Sequence, residues 1–186
     1  MFIQTEATPN PATVKFLPGE TVLGEGTANF ADRDGAGRSP LASRLFAVEG
    51  VCGVFLGSDF ISVTKAEASE WQLLRPAILG AIMEHYLSGK PMLDPDSSAT
   101  PAAAGAAAED DEIVVQIKEL LETRVRPAVA QDGGDIIFRG FEDGVVFLEM
   151  HGACSGCPSS TMTLKAGIEN MLRHYIPEVT SVRAIH

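Results

Sequence analysis

Two cysteines, Cys154 and Cys157, are the residues of this sequence whose type and spacing could carry chemistry. They stand in the segment Cys154-Ser155-Gly156-Cys157-Pro158, where the glycine lets the backbone curl so that both sulfur atoms can reach one metal centre. A helix is predicted after this loop, and its N-terminus favours thiolates because free N–H groups and a partial positive charge face the sulfur atoms. The pair is therefore a candidate metal or redox site.

Four interpretations of this C-x-x-C motif are open. A thiol–disulfide oxidoreductase uses the same motif, but in a βαβ context that the predicted element order does not supply. A zinc-binding interaction module needs four ligands, and adding His151 provides three. Two ordinary core cysteines are a third interpretation, although Gly152, Gly156 and Pro158 are typical of a loop. A [4Fe–4S] cluster needs four thiolates, and two chains related by a twofold axis would each supply two. Since the sequence has three cysteines in all, this last interpretation favours a homodimer in the cluster-bound state.

The other cysteine, histidine and aspartate residues that could bind a metal have simpler structural explanations. Cys52 lies in an apolar run typical of a strand, and we expect it to be a small buried hydrophobe. We expect His151 to face solvent or to lie behind the ligands. Asp132 and Asp135 flank a Gly-Gly pair, which is typical of a turn and not of a calcium site. Three further histidines have no neighbour at metal-ligand spacing, namely His85, His174 and His186.

The elements that position the motif belong to the second half of the chain. Residues 110–186 predict the order α-β-β-α-β, with the two cysteines on the loop between the second strand and the second helix. Pro127 is expected to bend or end the first helix. The elements are a helix at 111–130, a hairpin of strands 136–141 and 145–150 about Glu142-Asp143-Gly144, a helix at 159–173 and a strand at 179–185.

The first half of the chain predicts a mixed β/α domain, residues 1–90. It contains no phosphate-binding loop, nucleophile elbow or metalloprotease motif. Trp71 and Tyr86 fall on the apolar stripe of a helix and are expected in the core. The predicted elements are strands at 2–5 and 13–17, a helix at 40–50 capped by Ser39, a hairpin at 51–65 about Gly57-Ser58-Asp59, and a helix at 70–88 ended by Gly89 and Pro91.

Residues 91–109 separate the two halves and consist mainly of Pro, Ala, Ser and Gly. A segment of this composition buries too little apolar surface to hold a fixed structure, so we predict a flexible linker. Its nineteen residues span roughly 25 Å as a flexible coil. The predicted fold class is therefore α+β, with two small domains joined by a flexible Pro/Ala-rich linker.

Composition excludes several classes of partner. The net charge is −11, which would repel a phosphate backbone, and no Lys/Arg cluster is present to offset it. No run of about eighteen apolar residues offers a membrane span. The cysteine number favours a reducing compartment over a disulfide-rich secreted protein.

Two longer segments resemble a known family. The run DGGDI and the segment HGACSGCPSSTMTLKAGIE, in α-β-β-α-β order, resemble the C-terminal domain of NifU and of the Nfu proteins. The opening MFIQTEATPNPATVKFLPG, with EGVCGVFLGSDFISVTK, is similar to the Nfu N-terminal domain. The resemblance implies a non-enzymatic carrier that accepts a [4Fe–4S] cluster from a donor scaffold and delivers it to apo iron–sulfur client proteins. It implies Cys154 and Cys157 as the cluster ligands.

The first domain resembles the version found in mitochondrial and α-proteobacterial-type members, in which it has no ligands. We therefore expect this domain to recognise partners. The first residues have neither the basic start of a secretory signal nor the Arg-rich character of a transit peptide, so we expect a bacterial cytosolic protein, with the mitochondrial matrix as the alternative.

Overall fold

The structure is a computed structural model that describes residues 2–95, 112–155 and 158–185, with the backbone alone at residues 158–160. The chain divides into two compact units, Met1–Pro101 and Ala102–His186, each with its own hydrophobic core. Both units combine helices and strands, which confirms the α+β class. The division falls inside the segment that the sequence assigns to the linker, of which residues 96–109 lie outside the described residues.

The first unit is a five-stranded antiparallel sheet covered by helices. The strand order is β1-β2-β5-β4-β3. Its strands are β1 (Gln4–Ala7), β2 (Thr13–Leu17), β3 (Ala28–Phe30), β4 (Val51–Leu56) and β5 (Ile61–Lys65), and its helices are a 3₁₀ turn (Gly35–Arg38), α1 (Pro40–Phe46) and α2 (Trp71–Ser88).

Most of the predicted elements of this unit are confirmed. Ser39 caps α1, because its hydroxyl oxygen accepts a hydrogen bond from the N–H of Ala42 at 3.1 Å. Gly89 ends α2 in the left-handed conformation, with φ of 63°. α1 ends four residues earlier than predicted, and β3 was not predicted, because three residues are too few to show a strand period.

The first residues of the predicted linker pack against the core of the first unit. Met92 and Leu93 are partly buried there. The hydroxyl of Ser39 donates to the carbonyl oxygen of Met92 at 2.5 Å, and the N–H of Asp94 donates to the carbonyl oxygen of Arg38 at 2.9 Å. Met92, Leu93 and Asp94 are therefore held on the first unit by two hydrogen bonds and by apolar contact.

His85 is a buried polar residue in α2. It is fully buried, and neither ring nitrogen has a hydrogen-bond partner within the described residues. Burial lowers the pKa of His85 below its usual value, and the positive charges of Arg44 and Lys90 lower it further. The folded unit therefore favours the neutral imidazole.

We expect this histidine to make the first unit less stable in acid. Above about pH 6.5 both the folded and unfolded chains hold the side chain neutral, whereas below that pH the unfolded chain binds the proton first, so stability falls. Urea unfolding at several pH values checks this, followed by the fluorescence of Trp71, the single tryptophan. His85→Phe should flatten the pH dependence, and an unchanged dependence in that variant would contradict the assignment.

The second unit has the predicted α-β-β-α-β order. β6 and β7 are antiparallel, β8 lies parallel to β7, and a helix crosses over between them. No helix of the described residues, in either unit, is long and apolar enough to span a membrane. The elements are α3 (Glu112–Leu120), a π-helical turn (Leu121–Val125), α4 (Arg126–Gln131), β6 (Gly134–Glu142), β7 (Val145–Gly152), α5 (Pro158–Tyr175) and β8 (Ser181–Ile185).

Pro127 disturbs the helix in the turn that precedes it and does not end it. Proline lacks an N–H and its ring crowds the carbonyl group four residues earlier, here that of Thr123. The backbone widens into the π-helical turn at Leu121–Val125, and α4 then continues to Gln131. The hydroxyl of Thr123 in this turn donates to the carbonyl oxygen of Glu119 at 2.7 Å, which satisfies an acceptor at the end of α3.

Candidate metal site

Cys154 lies at the end of strand β7, in the loop that leads to α5. The N–H of Ala153 donates to the carbonyl oxygen of Gly133 at 3.1 Å, which ties the loop to the start of the neighbouring strand. The hydroxyl of Thr161 donates to the carbonyl oxygen of Cys154 at 3.1 Å, which ties it to α5. Cys157, the second predicted ligand, lies outside the described residues.

Two glycines at the start of β6, Gly133 and Gly134, shape the backbone beside this cysteine. Gly133 has a φ of 81°, as predicted for the sharp turn between α4 and β6. Gly134 is paired with Gly152, and a Cβ atom added to Gly134 would lie 2.5 Å from Sγ of Cys154 and 2.7 Å from the carbonyl oxygen of His151. The sulfur atom therefore packs directly on the backbone of Gly134, a position that no larger residue can occupy without displacing it.

Replacing Gly134 by alanine is expected to move the cysteine and lower cluster loading. The new methyl group would meet a backbone oxygen as well as the thiol, so the loop must shift, at a cost of about 1–3 kcal/mol. Iron content after anaerobic reconstitution and the thermal midpoint check the expectation. The matched control is Gly140→Ala on the same strand, where a Cβ atom meets nothing within 4 Å. Equal loading of the two variants would contradict the packing argument.

Cys154 is a buried thiol in the metal-free protein. It is 5% exposed and belongs to the core of the second unit. Burial raises the pKa of Cys154 to about 12, and the negative charges of Asp132 and Asp135 contribute to the rise. In the metal-free state, loss of water and the two nearby carboxylates therefore favour the protonated thiol at Cys154, in contrast to the thiolate that the sequence predicted.

An ion pair that the sequence did not predict lies beside the cysteine. Asp135 is 3% exposed, and its two carboxylate oxygens accept hydrogen bonds from Nε and Nη2 of Arg126 at 2.8 and 2.9 Å. Nη1 of Arg126 also donates to both oxygens of Glu122, one turn earlier. The hydrogen bonds that Arg126 donates to Asp135 raise the pKa of Arg126, so its charge is retained at any working pH. Asp135 is therefore more than the turn residue expected from the sequence.

His151, on β7, belongs to a second network of hydrogen-bonded polar side chains. Its Nε2 lies 2.7 Å from Oε1 of Glu149, and Nε of Arg139 donates to Oε2 of the same carboxylate at 2.6 Å. The hydrogen bond from His151 is the main cause that lowers the pKa of Glu149. Within the described residues, no group of three His, Cys, Asp or Glu side chains could hold a metal ion.

Cys52 is exposed on β4, in contrast to the expected buried position. Strict alternation would place Cys52 on the same face as Val54 and Leu56, which enter the core. The pairing of β4 with β5 is irregular between Val51 and Gly53, so Cys52 has no partner residue on β5 and lies outside this alternation. An apolar run does not show where a strand pairing becomes irregular, so the sequence predicted a buried cysteine at this position. Cys52 belongs to the first unit and Cys154 to the second.

Comparisons with known proteins match both halves of the chain. The family described as "NifU-like domain" matches residues 117–183, and that described as "Scaffold protein Nfu/NifU N terminal" matches residues 3–89. A solution NMR structure of a NifU-like protein from Saccharomyces cerevisiae is similar at 24% identity and a TM-score of 0.47, covering 51% of this chain and 86% of that one.

Among the relatives that match over the whole of this chain are a human and a fly protein, both named "NFU1 iron-sulfur cluster scaffold homolog, mitochondrial". The human protein is 52% identical to this chain over 186 residues, and this chain covers 72% of the length of the human protein. The Drosophila sechellia protein is 54% identical over 187 residues, and this chain covers 65% of its length. With both family domains present in the same order, the chain belongs to the Nfu family.

Proposed function

We propose that this chain binds a [4Fe–4S] cluster between two copies of itself, through Cys154 and Cys157 of each copy, and delivers it to apo-proteins without acting as an enzyme. The observation that carries the proposal is the loop after β7, where Cys154 packs on Gly134 and the motif supplies a second cysteine three residues later. With three cysteines in its sequence, one chain cannot offer four thiolates. A second copy completes the ligand set, so the holo protein is a homodimer.

The cluster is cargo in this proposal and not a resident cofactor. Two loops at a shared junction hold it, and separation of the two chains, or exchange of thiolates with a client, releases it. The names of the human and fly relatives describe them as iron–sulfur cluster scaffold homologs, which supports this role. The partners are a donor scaffold and apo iron–sulfur client proteins.

The two alternatives from the motif receive less support. An oxidoreductase needs an accessible thiolate that attacks a disulfide, and Cys154 is 5% exposed. A zinc module needs four ligands, and His151, the further candidate, is hydrogen-bonded to Glu149. Neither alternative accounts for the match of the first domain, residues 3–89, to the Nfu/NifU N-terminal family.

We further propose that the two domains divide the labour. The second domain, residues 110–186, holds the cluster, and the first, residues 1–90, recognises partners. Residues 91–109 connect them, and Met92, Leu93 and Asp94 at the start of this segment are held by the first domain. The protein acts in a reducing compartment, either a bacterial cytosol or the mitochondrial matrix. The word mitochondrial in the relatives' names supports the second location.

Anaerobic reconstitution tests the central claim. We expect a broad absorption near about 400 nm, and about four irons and four sulfides per two chains. Light scattering should show a monomer for the metal-free protein and a dimer for the holo protein. A holo monomer with four irons per chain would contradict the shared cluster. Zinc without iron or sulfide would support the interaction module, and disulfide reduction by metal-free protein would support the oxidoreductase.

A further inference from the structure

Helix α2 has a second apolar face, opposite the one that enters the core. Its core-facing side chains include Leu74, Ile78 and Ile82. On the other side, apolar residues recur at alternating steps of three and four, the heptad spacing of a helix–helix seam. This face, the α2 seam, consists of Leu73, Pro76, Gly80, Met83 and Leu87, all of them exposed.

The α2 seam exposes large side chains at both ends and small ones in the middle. Leu73 is 78% exposed and Leu87 is 82% exposed, while Met83 is 41% exposed. They span about 21 Å along the helix. A Cβ atom at Gly80 would meet nothing within 4 Å, so the centre of the seam is open to a close neighbour. An exposed stripe of this shape fits a second helix that crosses near Gly80, with the two leucines as anchors at its ends.

Acidic side chains border one flank of the seam. Glu70 and Glu84 stand fourteen residues apart on the same flank, with Ala77 midway between them. A groove of about 640 Å³ opens on this flank beside Leu73, and both Glu49 and Glu70 line it. Within the described part of the chain, neither of these two carboxylates has an ion-pair partner. The opposite flank has no acidic side chain, since Gln72, Leu79 and Tyr86 form its row of sevenfold spacing and the exposed Arg75 lies beside that row.

We infer that the α2 seam docks an amphipathic helix of a partner protein, with a row of Lys or Arg beside the apolar seam of that helix. The apolar side chains give the contact its area, and the basic row meets Glu49 and Glu70, which sets the partner's direction and register. The inference rests on the proposed role of the first domain in partner recognition and names the surface that performs it.

A second copy of this chain is a poorer occupant. In an antiparallel pair about a twofold axis, each flank of the seam faces the same flank of the other copy. Glu70 and Glu84 of one copy would then face the acidic flank of the other copy, and repulsion between like charges disfavours this contact. Arg44 pairs with Glu84 at 2.7 Å and offsets one of these charges, which leaves Glu70 and Glu49 uncompensated.

Peptide binding to the metal-free full chain tests the inference without requiring a cluster. The probes are labelled helical peptides of about 18 residues, the length of α2, that share one leucine seam and differ in a single flanking row of lysine, glutamine or glutamate. Fluorescence anisotropy gives the affinities, and ¹⁵N chemical-shift changes locate the binding surface. We expect the lysine peptide to bind about tenfold more tightly than the glutamine peptide and to perturb residues 70–88.

Two pairs of variants separate this site from general attraction to an acidic protein. Leu73→Ser/Leu87→Ser and Glu49→Lys/Glu70→Lys should each weaken the lysine peptide at least about tenfold. The matched controls lie in the second unit, Val115→Ser at a residue 48% exposed and Glu142→Lys/Asp143→Lys on the hairpin turn, and should change affinity less than about twofold. Circular dichroism verifies that each variant is folded.

Several outcomes would overturn the inference. One is an equal loss in the Glu142→Lys/Asp143→Lys control, which would mean nonspecific attraction. Another is unchanged affinity in Leu73→Ser/Leu87→Ser. Concentration-dependent dimers of metal-free protein that the same variant abolishes would assign the seam to a second copy. Cys154→Ser should bind the lysine peptide like the wild type, so failure of the cluster proposal and failure of this one are distinguishable.

Discussion

Replacing Cys154 by serine is expected to remove most of the bound iron. In a shared cluster the change deletes two of four thiolates, and the serine hydroxyl is a poor ligand for iron because it stays protonated near neutral pH. We expect iron per chain after anaerobic reconstitution to fall about tenfold or more, with loss of the visible absorption and of the holo dimer. Cys157→Ser is expected to behave in the same way.

Cys52→Ser is the matched control for this prediction. Cys52 is exposed on β4 of the first unit, so its replacement should leave iron content and dimer formation unchanged. Because Cys154 is buried, its replacement by a more polar hydroxyl could cost about 1–2 kcal/mol, and circular dichroism of the metal-free variants separates this cost from the loss of a ligand. Full iron loading of a folded Cys154→Ser variant would disprove the ligand assignment.

Replacing Arg126 by glutamine should have the largest effect on the stability of the second unit. Asp135 has 4% of its side chain exposed and would be left as a buried carboxylate without its guanidinium partner. Removing one partner of a buried pair costs about 3–5 kcal/mol, and we expect the lower value because 21% of the Arg126 side chain is exposed. Hydrogen exchange of the β6 and β7 amides measures the loss within this unit.

The second consequence of Arg126→Gln concerns the candidate site. Asp135 follows Gly134, on which the sulfur atom of Cys154 packs, so a displaced Asp135 should disturb that contact. We expect iron loading to fall severalfold, in proportion to the population of opened β6. Adding Asp135→Asn should recover part of the stability, because the double variant leaves no buried charge.

Arg139→Gln is the matched control on the same sheet. Arg139 pairs with Glu149 at 2.6 Å, but 41% of its side chain and 26% of that of Glu149 are exposed. Solvent screens such a pair, and its loss should cost less than about 1 kcal/mol. If Arg126→Gln cost no more than Arg139→Gln, burial of Asp135 would not be the source of the stabilisation.

The sequence predicted the α+β class, the two hairpins and the α-β-β-α-β order, and the structure confirms them. These features depend on local signals. At the second hairpin, Asp143 and Gly144 both have positive φ, as a two-residue turn between antiparallel strands requires. Ser39 and Gly89 likewise mark helix ends through their own backbone preferences. The C-x-x-C motif is equally local, which is why the candidate ligands could be named before any fold was known.

The arrangement around Cys154 was decided by tertiary structure. Arg126 and Asp135 are nine residues apart in a helix and a strand, and no periodic pattern relates them, so their ion pair depends on how α4 meets β6. The contact of Gly134 with Cys154 depends on strand register, because the pairing of β6 with β7 brings together residues twenty positions apart. The burial of the Cys154 thiol also depends on tertiary structure, because residues distant in sequence exclude water from it. Neither the composition nor the C-x-x-C motif identifies those residues.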